Sequence, residues 1–452
     1  MIHRFLFVIA GDALLAFFAL FVAFFIRYGT VLHVHDSHTD MIKSLIFILI
    51  LLFSSFFLEI YSLTFEIDKT ELAVRISLAV NVAFFLLTGL FYLTDSNLYG
   101  RGILAIALIS FGVLQFCWHL VYRLSLKLPG FNCNVLVLGT GPLAHQIGSL
   151  ISAKNPSYCL SGYINCAAEP VMVPFHAIIN SDKGLYEAVK SVGANKIVVS
   201  LSERRGVFPL QDVLTCKLTG IEVVDAPSFY EQLTGKLLLE NITPSWFIFS
   251  HGFRVTPLLR ALKRLVDIFC STVGLALTLP LFPLIAIIIK LDSRGPVFFR
   301  QLRVGEGERS FLLYKFRTMR EDAESKTGAV WAKEKDPRVT RIGEFLRKSR
   351  IDEIPQLYNV LRGHMSFVGP RPERPEFVQK LKEVIPYYSE RHYVKPGVTG
   401  WAQVRYPYGA SVEDAIEKLR YDLFYIKNIS LPFDVLIILE TIKVVLFRRG
   451  GR

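Results

Sequence analysis

The first 125 residues carry four long apolar runs, at about residues 5–25, 44–58, 76–93 and 103–121. A helix that spans a bilayer needs about 20 mostly apolar residues, so we expect the second run to continue to Leu63 across Glu59. A soluble bundle would show a polar stripe along each helix, and a cleaved signal peptide would explain only the first run. The pattern predicts a four-helix transmembrane bundle over residues 1–125.

Asp12 is the only charged residue inside the first apolar run. Carboxylates buried in a membrane are usually functional or paired. Because Asp12 lies about two helical turns from the amino-terminal end of the run, a position at the membrane interface is also open.

Basic residues near the ends of the four runs predict the orientation. Four crossings place the amino terminus and everything after Arg123 on the same side. That side carries Arg4, Lys69, Arg75, Arg123 and Lys127, and the other side carries Arg27, Lys43 and Arg101. The positive-inside rule therefore places the downstream part of the chain in the cytoplasm.

The pattern changes to alternating strands and helices after residue 132. The apolar run Val135–Leu138 is followed by the glycine turn Gly139–Ala144 and a helix-like segment, as at the start of a doubly wound α/β unit. An acidic residue about 20 positions further on would hold the ribose of NAD. The chain has Asn165-Cys166-Ala167-Ala168 there, so we expect a Rossmann-like α/β domain over residues 126–250 that does not bind NAD.

A fifth apolar segment, residues 268–289, carries no charge and lies between Asp267 and Lys290. Pro280 and Pro283 interrupt it, and each removes a backbone donor and clashes with the preceding turn. A helix–break–helix hairpin that enters and leaves one leaflet fits this pattern, and so does a kinked full crossing. The choice decides on which side of the membrane the rest of the chain lies.

The composition agrees with a membrane protein that also meets phosphate. The chain is 52% hydrophobic and 20% charged, with a net charge of +12 and a mean hydropathy of +0.40. Residues 254–320 contain twelve Lys and Arg but four Asp and Glu, which is +8 of the surplus. Nucleic acid is the other usual partner of such a surplus, but this hydropathy argues against it. Six scattered cysteines, without a C-x-x-C pair, predict neither zinc nor disulfides.

Three segments carry candidate chemistry. Strand-like alternation in residues 298–305 and 314–319 is expected to place several cations on one face, where they could bind a polyphosphate. These cations are Arg300, Arg303, Lys315 and Arg317. A separate segment further along the chain carries Asp352 and Glu353, which come before Pro355 at a predicted helix start. They can be capping acids, or ionised carboxylates beside a phosphate held at the helix start.

Two rigid turns follow, one around Arg371 and one over residues 395–404. Arg371 lies between Pro370 and Pro372, which fix its backbone, and a guanidinium so placed can bind a phosphate with two parallel hydrogen bonds. The glycine-rich turn over residues 395–404 contains Trp401, whose ring could stack on a nucleobase.

These motifs, in this order, resemble the bacterial sugar transferases, the monotopic phosphoglycosyl transferases that start exopolysaccharide and O-antigen repeats. The resemblance covers about residues 258–450 and rests on Lys263-Arg264, Asp267, Pro280, Tyr314–Met319, Asp352-Glu353, Ser366–Pro372 and Pro396–Val404. The bundle and the α/β domain resemble the long members of that family. The stretches Tyr230–Lys236 and Leu446–Gly450 resemble the subgroup linked to exosortase (PEP-CTERM) loci.

The resemblance implies transfer of a sugar 1-phosphate from a nucleotide diphosphate sugar, usually a UDP-sugar, to polyprenyl (undecaprenyl) phosphate, with release of UMP. It implies that Asp352 is the nucleophile and forms an aspartyl phosphosugar intermediate, and that Glu353, beside Asp352, helps to hold Mg²⁺. Arg371 would clamp the transferred phosphate. Further phosphate-binding candidates are Lys315, Arg317, Arg303 and Asp422.

The resemblance also implies an α+β catalytic domain over residues 251–452 on the cytoplasmic face of the bacterial inner membrane. The segment at about 265–290 would be a re-entrant hairpin that breaks at Pro280, with Pro283 and Asp267 as further hairpin residues. The family often has Ser before that proline, where this chain has Leu279. Homo-oligomerisation, contacts with polysaccharide assembly proteins and the identity of the sugar stay open.

Two other functions are compatible with parts of the sequence. A nucleotide-sugar oxidoreductase or dehydratase would use the glycine turn and a Tyr-x-x-x-Lys pair, for which Tyr186 and Lys190 have the spacing. The missing ribose acid argues against it. A scaffold of a polysaccharide assembly complex would need no catalytic residues, and the intact Asp352-Glu353 pair argues against that role.

Overall fold

The computed structural model divides into two compact units, Met1–Leu233 and Thr234–Arg452. The division falls before residue 251, where the resemblance places the start of the catalytic domain. The structure describes residues 2–29, 37–58, 60–61, 69–94, 100–125, 133–154, 158–166, 170–180, 184–201, 208–242, 247, 250, 252–321, 323, 336–406, 409 and 411–446. The predicted motif residues Ala167, Ala168 and 447–450 lie outside these residues.

The first unit begins with four apolar helices. They are α1 (Ile2–Tyr28), α2 (Ser37–Phe57), α3 (Lys69–Thr94) and α4 (Arg101–Ser125). Segments of α1, α3 and α4 are long and apolar enough to cross a membrane, and the apolar part of α2, Met41–Phe57, is shorter. The expected extension of the second run to Leu63 is wrong, because α2 ends at Phe57 and a turn follows at Leu58. This helix gains its length at its amino-terminal end instead.

A buried polar cluster joins three of these helices. Asp12 of α1 is fully buried and accepts a hydrogen bond from Nε2 of Gln115 on α4 at 2.6 Å. Nε2 of His119 lies 3.3 Å from the same carboxylate oxygen, and Gln115 also donates to Oγ of Ser55 on α2 at 2.9 Å. Asp12 is therefore an interior residue of the bundle, paired within it.

The remainder of the first unit is an α/β region, as predicted. Its elements are β1 (Cys133–Leu138), α5 (Pro142–Lys154), β2 (Tyr158–Ile164), α6 (Leu185–Ser191), β3 (Lys196–Val199), α7 (Leu210–Leu218), β4 (Glu222–Asp225) and α8 (Ala226–Thr234). The four strands form a parallel sheet in the order β2-β1-β3-β4. The glycine turn follows β1, and the amide of Met172 donates to the carbonyl of Thr140 within it.

The second unit opens with a broken apolar segment. Helix α9 (Pro257–Thr278) leads through a 3₁₀ turn at Leu279–Leu281 into α10 (Phe282–Asp292). The break lies at Pro280, as predicted, and Oγ1 of Thr278 donates to the carbonyl of Gly274, a bond that bends helices. The residues 257–292 are together long and apolar enough to cross a membrane.

Short strands and helices complete the second unit. They are β5 (Phe298–Val304), β6 (Ser310–Phe316), α11 (Arg341–Lys348), α12 (Gln356–Arg362), β7 (Ser366–Val368), α13 (Pro375–Val384), β8 (Gly397–Thr399), α14 (Trp401–Arg405), α15 (Val412–Lys427) and α16 (Leu431–Leu446). Strands β5 and β6 pair antiparallel, and β7 and β8 pair parallel. The segment just after α8 belongs to this core, because Leu237 and Ile242 are buried in one cluster with residues of α15.

Candidate active site

Asp352 and Glu353 lie in a 3₁₀ turn, Ile351–Glu353, directly before α12. Arg350 precedes the turn in the left-handed region, with φ 57° and ψ 13°, a conformation that costs energy for a residue with a side chain. Both carboxylates are more than nine-tenths buried. The acidic pair therefore lies in a buried turn at the amino-terminal end of α12 and is not a solvent-exposed helix cap.

Asn359 fixes this turn against the strand that carries Lys315. Asn359 is fully buried on α12, and its Nδ2 donates to the carbonyl of Leu312 at 2.7 Å. Its Oδ1 accepts from the amide of Tyr314 at 3.1 Å. Both bonds reach the backbone of β6. They hold Lys315, which follows Tyr314 on that strand, beside the acidic pair.

Three cations surround Glu353. Nζ of Lys315 and a terminal guanidinium nitrogen of Arg371 lie 2.8 and 2.9 Å from Oε1, and a nitrogen of Arg350 lies 3.7 Å from Oε2. Burial acts to raise the pKa of Glu353, but these cations outweigh it and hold the pKa well below its usual range. Glu353 is therefore ionised at any physiological pH.

Asp352 has a different environment. Its Oδ2 lies 4.0 Å from Nζ of Lys315, and its Oδ1 is buried and accepts no hydrogen bond from the described residues. Burial raises the pKa of Asp352, Lys315 opposes that shift, and the charge of Glu353 adds to it. Desolvation and an unengaged oxygen are the properties of a carboxylate that can act as a nucleophile.

The turn that carries Arg371 is held from two sides. Nη1 of Arg303 donates to the carbonyl of Pro372 at 3.0 Å, and Nη2 of Arg391 donates to the carbonyl of Arg371 at 2.9 Å. The backbones of Gly369 and Gly400 approach so closely that a Cβ on Gly400 would lie 2.2 Å from the carbonyl oxygen of Gly369. Arg303 therefore supports the turn and does not point freely towards a phosphate.

The expectation that several cations share one strand face holds for Arg303 and Lys315 and fails for Arg300, because Lys315 pairs with Phe299 and Arg300 pairs with Tyr314. Residues three apart on a strand face opposite sides. Arg300 stacks on the ring of Tyr314, and Arg303 supports the turn. Arg317 is buried and donates to the carbonyl and hydroxyl oxygens of Ser293, at the end of α10. Of the four, the structure brings Lys315 to the acidic pair.

Asp422 and Trp401 are also engaged away from the acidic pair. Asp422 is buried on α15 and forms an ion pair with Arg391 at 2.8 Å. Trp401 is 6% exposed, donates to the carbonyl of Gly235 at 2.8 Å and has the guanidinium of Arg405 over its ring at 4.3 Å. It offers no free face to a nucleobase, so the stacking expectation is wrong.

The broken segment is tied to the same part of the unit. Oδ1 of Asp267 on α9 accepts from Oγ of Ser366 at 3.0 Å and from the amide of Phe367 at 2.9 Å. The guanidinium of Arg264 donates to the carbonyls of Val360 and Leu361 at 2.6 and 2.7 Å. These bonds join α9 to the end of α12 and to β7, the two elements that flank the Arg371 turn and the acidic pair.

Sequence reasoning missed Arg350, Asn359 and Arg391. The adjacency of Arg350 to the acidic pair was a usable signal. Asn359 and Arg391 act on residues that are distant along the chain, so no local pattern shows their role.

Comparison with known proteins agrees with the motifs. The bacterial sugar transferase family matches residues 258–448. An exopolysaccharide production protein of Rhizobium leguminosarum bv. phaseoli is 42% identical over 195 residues, which are 42% of this chain and 98% of that protein.

Two further relatives carry substrate names. A UDP-N-acetylgalactosamine-undecaprenyl-phosphate N-acetylgalactosaminephosphotransferase of Aeromonas hydrophila is 43% identical over 237 residues, 52% of this chain and 55% of that protein. A UDP-glucose:undecaprenyl-phosphate glucose-1-phosphate transferase of Escherichia coli (strain K12) is 42% identical over 187 residues, 40% of each chain. The matched parts thus span about half of these two proteins, or less.

Proposed function

This chain belongs to the bacterial sugar transferase family, and from that premise we propose that it transfers a sugar 1-phosphate from a UDP-sugar to polyprenyl (undecaprenyl) phosphate, releasing UMP. The names of the Aeromonas hydrophila and Escherichia coli relatives give a UDP-sugar and undecaprenyl phosphate as substrates. Such a transfer would begin the assembly of an exopolysaccharide or an O-antigen-type polymer.

The observation that carries the proposal is the unequal environment of the two adjacent carboxylates. Glu353 is bound by Lys315 and Arg371, whereas Oδ1 of Asp352 accepts no hydrogen bond within the described residues. A diphosphate entering this site would meet the same cations. Lys315 and Arg371 would stabilise the charge that develops on the transferred phosphate, while Asp352 stays available for attack.

The reaction then runs in two displacements at one phosphorus. An oxygen of Asp352 attacks the phosphorus that carries the sugar, the bond from that phosphorus to the bridging oxygen breaks, and UMP leaves with the electron pair. An oxygen of polyprenyl phosphate next attacks the phosphorus of the aspartyl phosphosugar. The bond to Asp352 breaks and the carboxylate is regenerated, so no net proton transfer is needed.

Mg²⁺ is the cofactor that this function implies. Within the described residues no group of three His, Cys, Asp or Glu side chains could hold a metal. Mg²⁺ often keeps several waters and binds one or two carboxylates together with substrate phosphates, which Asp352 and Glu353 fit. The ion would neutralise charge on the diphosphate.

We infer that the broken segment is a re-entrant hairpin. A straight helix of 36 residues would be about 54 Å long and would carry its two ends to opposite sides of a bilayer. Instead, α9 is tied to Ser366 and Phe367 through Asp267, while Ile285 and Ile289 of α10 pack on Phe316 and Leu346. Both halves contact one domain, which favours entry and exit on one face, the cytoplasmic face of the inner membrane.

We also infer that the parallel α/β region is Rossmann-like and does not bind NAD. The backbone of Met172 is hydrogen-bonded to Thr140 in the glycine turn, where a dinucleotide would approach. This observation supports the prediction from the missing ribose acid.

The test supplies membranes that contain the protein with polyprenyl phosphate, Mg²⁺ and a panel of radiolabelled UDP-sugars. Label should enter the lipid fraction with one of the sugars and should be absent with Asp352→Asn. Asp212→Asn, an exposed carboxylate on α7, is the matched control and should keep wild-type activity. Full transfer by Asp352→Asn would contradict the covalent mechanism. Wild-type membranes that transfer none of the sugars, but convert a UDP-sugar with NAD, would favour the oxidoreductase alternative.

A further inference from the structure

The residues behind the Arg371 turn form a buried network that we name the arginine bracket. It consists of Tyr388, Arg391, Asp422 and the backbone carbonyl of Arg371. Arg391 lies in the 3₁₀ segment Tyr388–Tyr393, and Asp422 lies on α15. The side chains of Arg391 and Asp422 are 6% and 3% exposed, so the ion pair is almost completely desolvated.

Arg391 is bound in three directions. One terminal nitrogen donates to Asp422 at 2.8 Å and to the carbonyl of Arg371 at 2.9 Å, and the other donates to the hydroxyl of Tyr388 at 2.6 Å. The guanidinium also lies over the Tyr388 ring, 5.1 Å from its centre. A planar guanidinium fixed in this way has one orientation, so it holds the carbonyl that it binds in one place.

That carbonyl belongs to the residue whose own guanidinium reaches Glu353. Arg371 is therefore held by its backbone on one side of the turn and bonds to the acidic pair with its side chain on the other, at 2.9 Å. Pro370 and Pro372 restrict the φ angles around it. A displacement of the carbonyl would thus be transmitted to the guanidinium.

The charges around the bracket depend on the state of Asp422. Burial raises its pKa to about 6, and Arg391 is the largest opposing influence. Glu373 adds to the upward shift and Lys418, on α15, opposes it. His392, next to Arg391, has its pKa lowered to about 4 by burial and by Arg391, so it is neutral when Asp422 titrates.

We propose that Arg391, oriented by Asp422, is a positioning residue that sets Arg371 against Glu353, and that Asp422 acts through this bracket without touching the substrate phosphate. The inference rests on the proposed function for its kinetic part. In this proposal Asp422 contacts Arg391 and not the substrate, and transfer also depends on Arg391 and Tyr388.

The kinetic test is a double-mutant cycle between Asp422 and Arg371 in the full chain in membranes. Asp422→Asn should lower kcat by about 10- to 100-fold, the scale of a misplacement of about 1 Å, with KM for the UDP-sugar within about threefold. In an Arg371→Ala background the same change should have almost no further effect, because the group that it positions is gone. Additive losses in the double variant would overturn the proposal.

The pH dependence gives a second kinetic readout. The ratio of wild-type to Asp422→Asn rates should fall towards one as the pH is lowered through about 6, because wild-type Asp422 is then protonated as well. Any loss from protonation of Asp352 affects both proteins and cancels in the ratio. A ratio that is constant with pH would count against the bracket.

A structural readout separates failure of the bracket from failure of the proposed function. Exchange of the amide hydrogens of Gly369, Arg371, Glu373 and Arg374 should be faster in Asp422→Asn and in Arg391→Gln than in wild type, whether or not the protein transfers a sugar. Arg391→Lys, which keeps the charge but not the fork, should restore part of the protection. Glu413→Gln, an exposed residue of the same helix α15, is the control and should change nothing. Unchanged exchange in both bracket variants would overturn the proposal.

Discussion

Asp12 and Asp352 are both buried carboxylates, yet their surroundings differ. Asp12 lies among apolar helices and is bound by Gln115, with His119 beside the same oxygen. Asp352 lies 4.0 Å from Lys315 and next to Glu353, which is bound by Lys315 and Arg371.

The comparison shows that burial alone does not mark a catalytic carboxylate. The donors around Asp12 come from other helices of the bundle, so the cluster cross-links α1, α2 and α4 and stabilises their packing. The cations around Asp352 are mostly engaged with its neighbour, which leaves one oxygen of Asp352 without a donor within the described residues. Oδ1 of Asp12 also lacks a hydrogen-bond partner within the described residues, so the two sites differ in their charges and not in satisfaction. Cations surround the acidic pair, whereas a glutamine amide and a histidine ring lie beside Asp12.

The largest expected effect is on transfer. Asp352→Asn should reduce sugar-phosphate transfer by a factor on the order of 10³ or more, because a nucleophile is lost. Asp12→Asn should change transfer by much less. Radiolabel in the lipid fraction measures both, and equal losses in the two variants would remove the distinction between the carboxylates.

The second prediction concerns pH. Since the folded protein raises the pKa of Asp352, transfer should fall about tenfold per pH unit below that raised value, beginning above the ordinary Asp range near 4. The same shift means that the folded state binds this proton more tightly than the unfolded state does. Ionisation of Asp352 at higher pH therefore lowers the free energy of unfolding. Thermal unfolding in detergent at pH 8 should therefore show Asp352→Asn at least as stable as wild type. A lower Tm would contradict this.

The third prediction concerns the bundle. Asp12→Ala should lower the stability of the protein by about 2–3 kcal/mol, because Gln115 would lose one of its two acceptors and His119 would lose the carboxylate beside it in an apolar interior. Thermal unfolding in detergent measures the change. Leu14→Ala, on the exposed face of the same helix, is the control and should cost much less. Equal losses would show that the cluster does not account for the effect.

The smallest expected effect is at the edge of the same cluster. Ser55→Ala removes one hydrogen-bond acceptor of Gln115 and should cost about 1 kcal/mol, since Gln115 keeps its bond to Asp12. The same unfolding measurement applies. A loss as large as that of Asp12→Ala would mean that Ser55, and not the carboxylate, is the centre of the cluster.

Local patterns predicted much of the architecture. Apolar runs marked the helices of the bundle, the proline pair marked the break at Pro280, and the strand–turn–helix pattern marked the parallel α/β region. The predicted extension of α2 to Leu63 is wrong. Membrane thickness requires a longer helix than the apolar run, but α2 is longer at its amino-terminal end, where it begins at Ser37, and it ends at Phe57. The motifs also identified the family.

Side-chain direction was the part that motifs could not provide. The family resemblance implies that Arg303, Arg317 and Asp422 are phosphate-binding candidates. In the fold their bonds go to a backbone carbonyl, to the end of α10 and to Arg391. Their roles as direct ligands stay predictions, and these contacts favour supporting roles.

The sequence by itself determined which segments are apolar, where the proline break lies and which residues can react, because these properties depend on composition and short-range periodicity. Only the tertiary structure decided that Lys315 and Arg371 meet at Glu353, that one oxygen of Asp352 lacks a donor within the described residues, and that Asp12 is bound by Gln115 inside the bundle. These outcomes depend on contacts between residues far apart along the chain. Such contacts set the dielectric environment and the partners of each charge, and no local pattern encodes them.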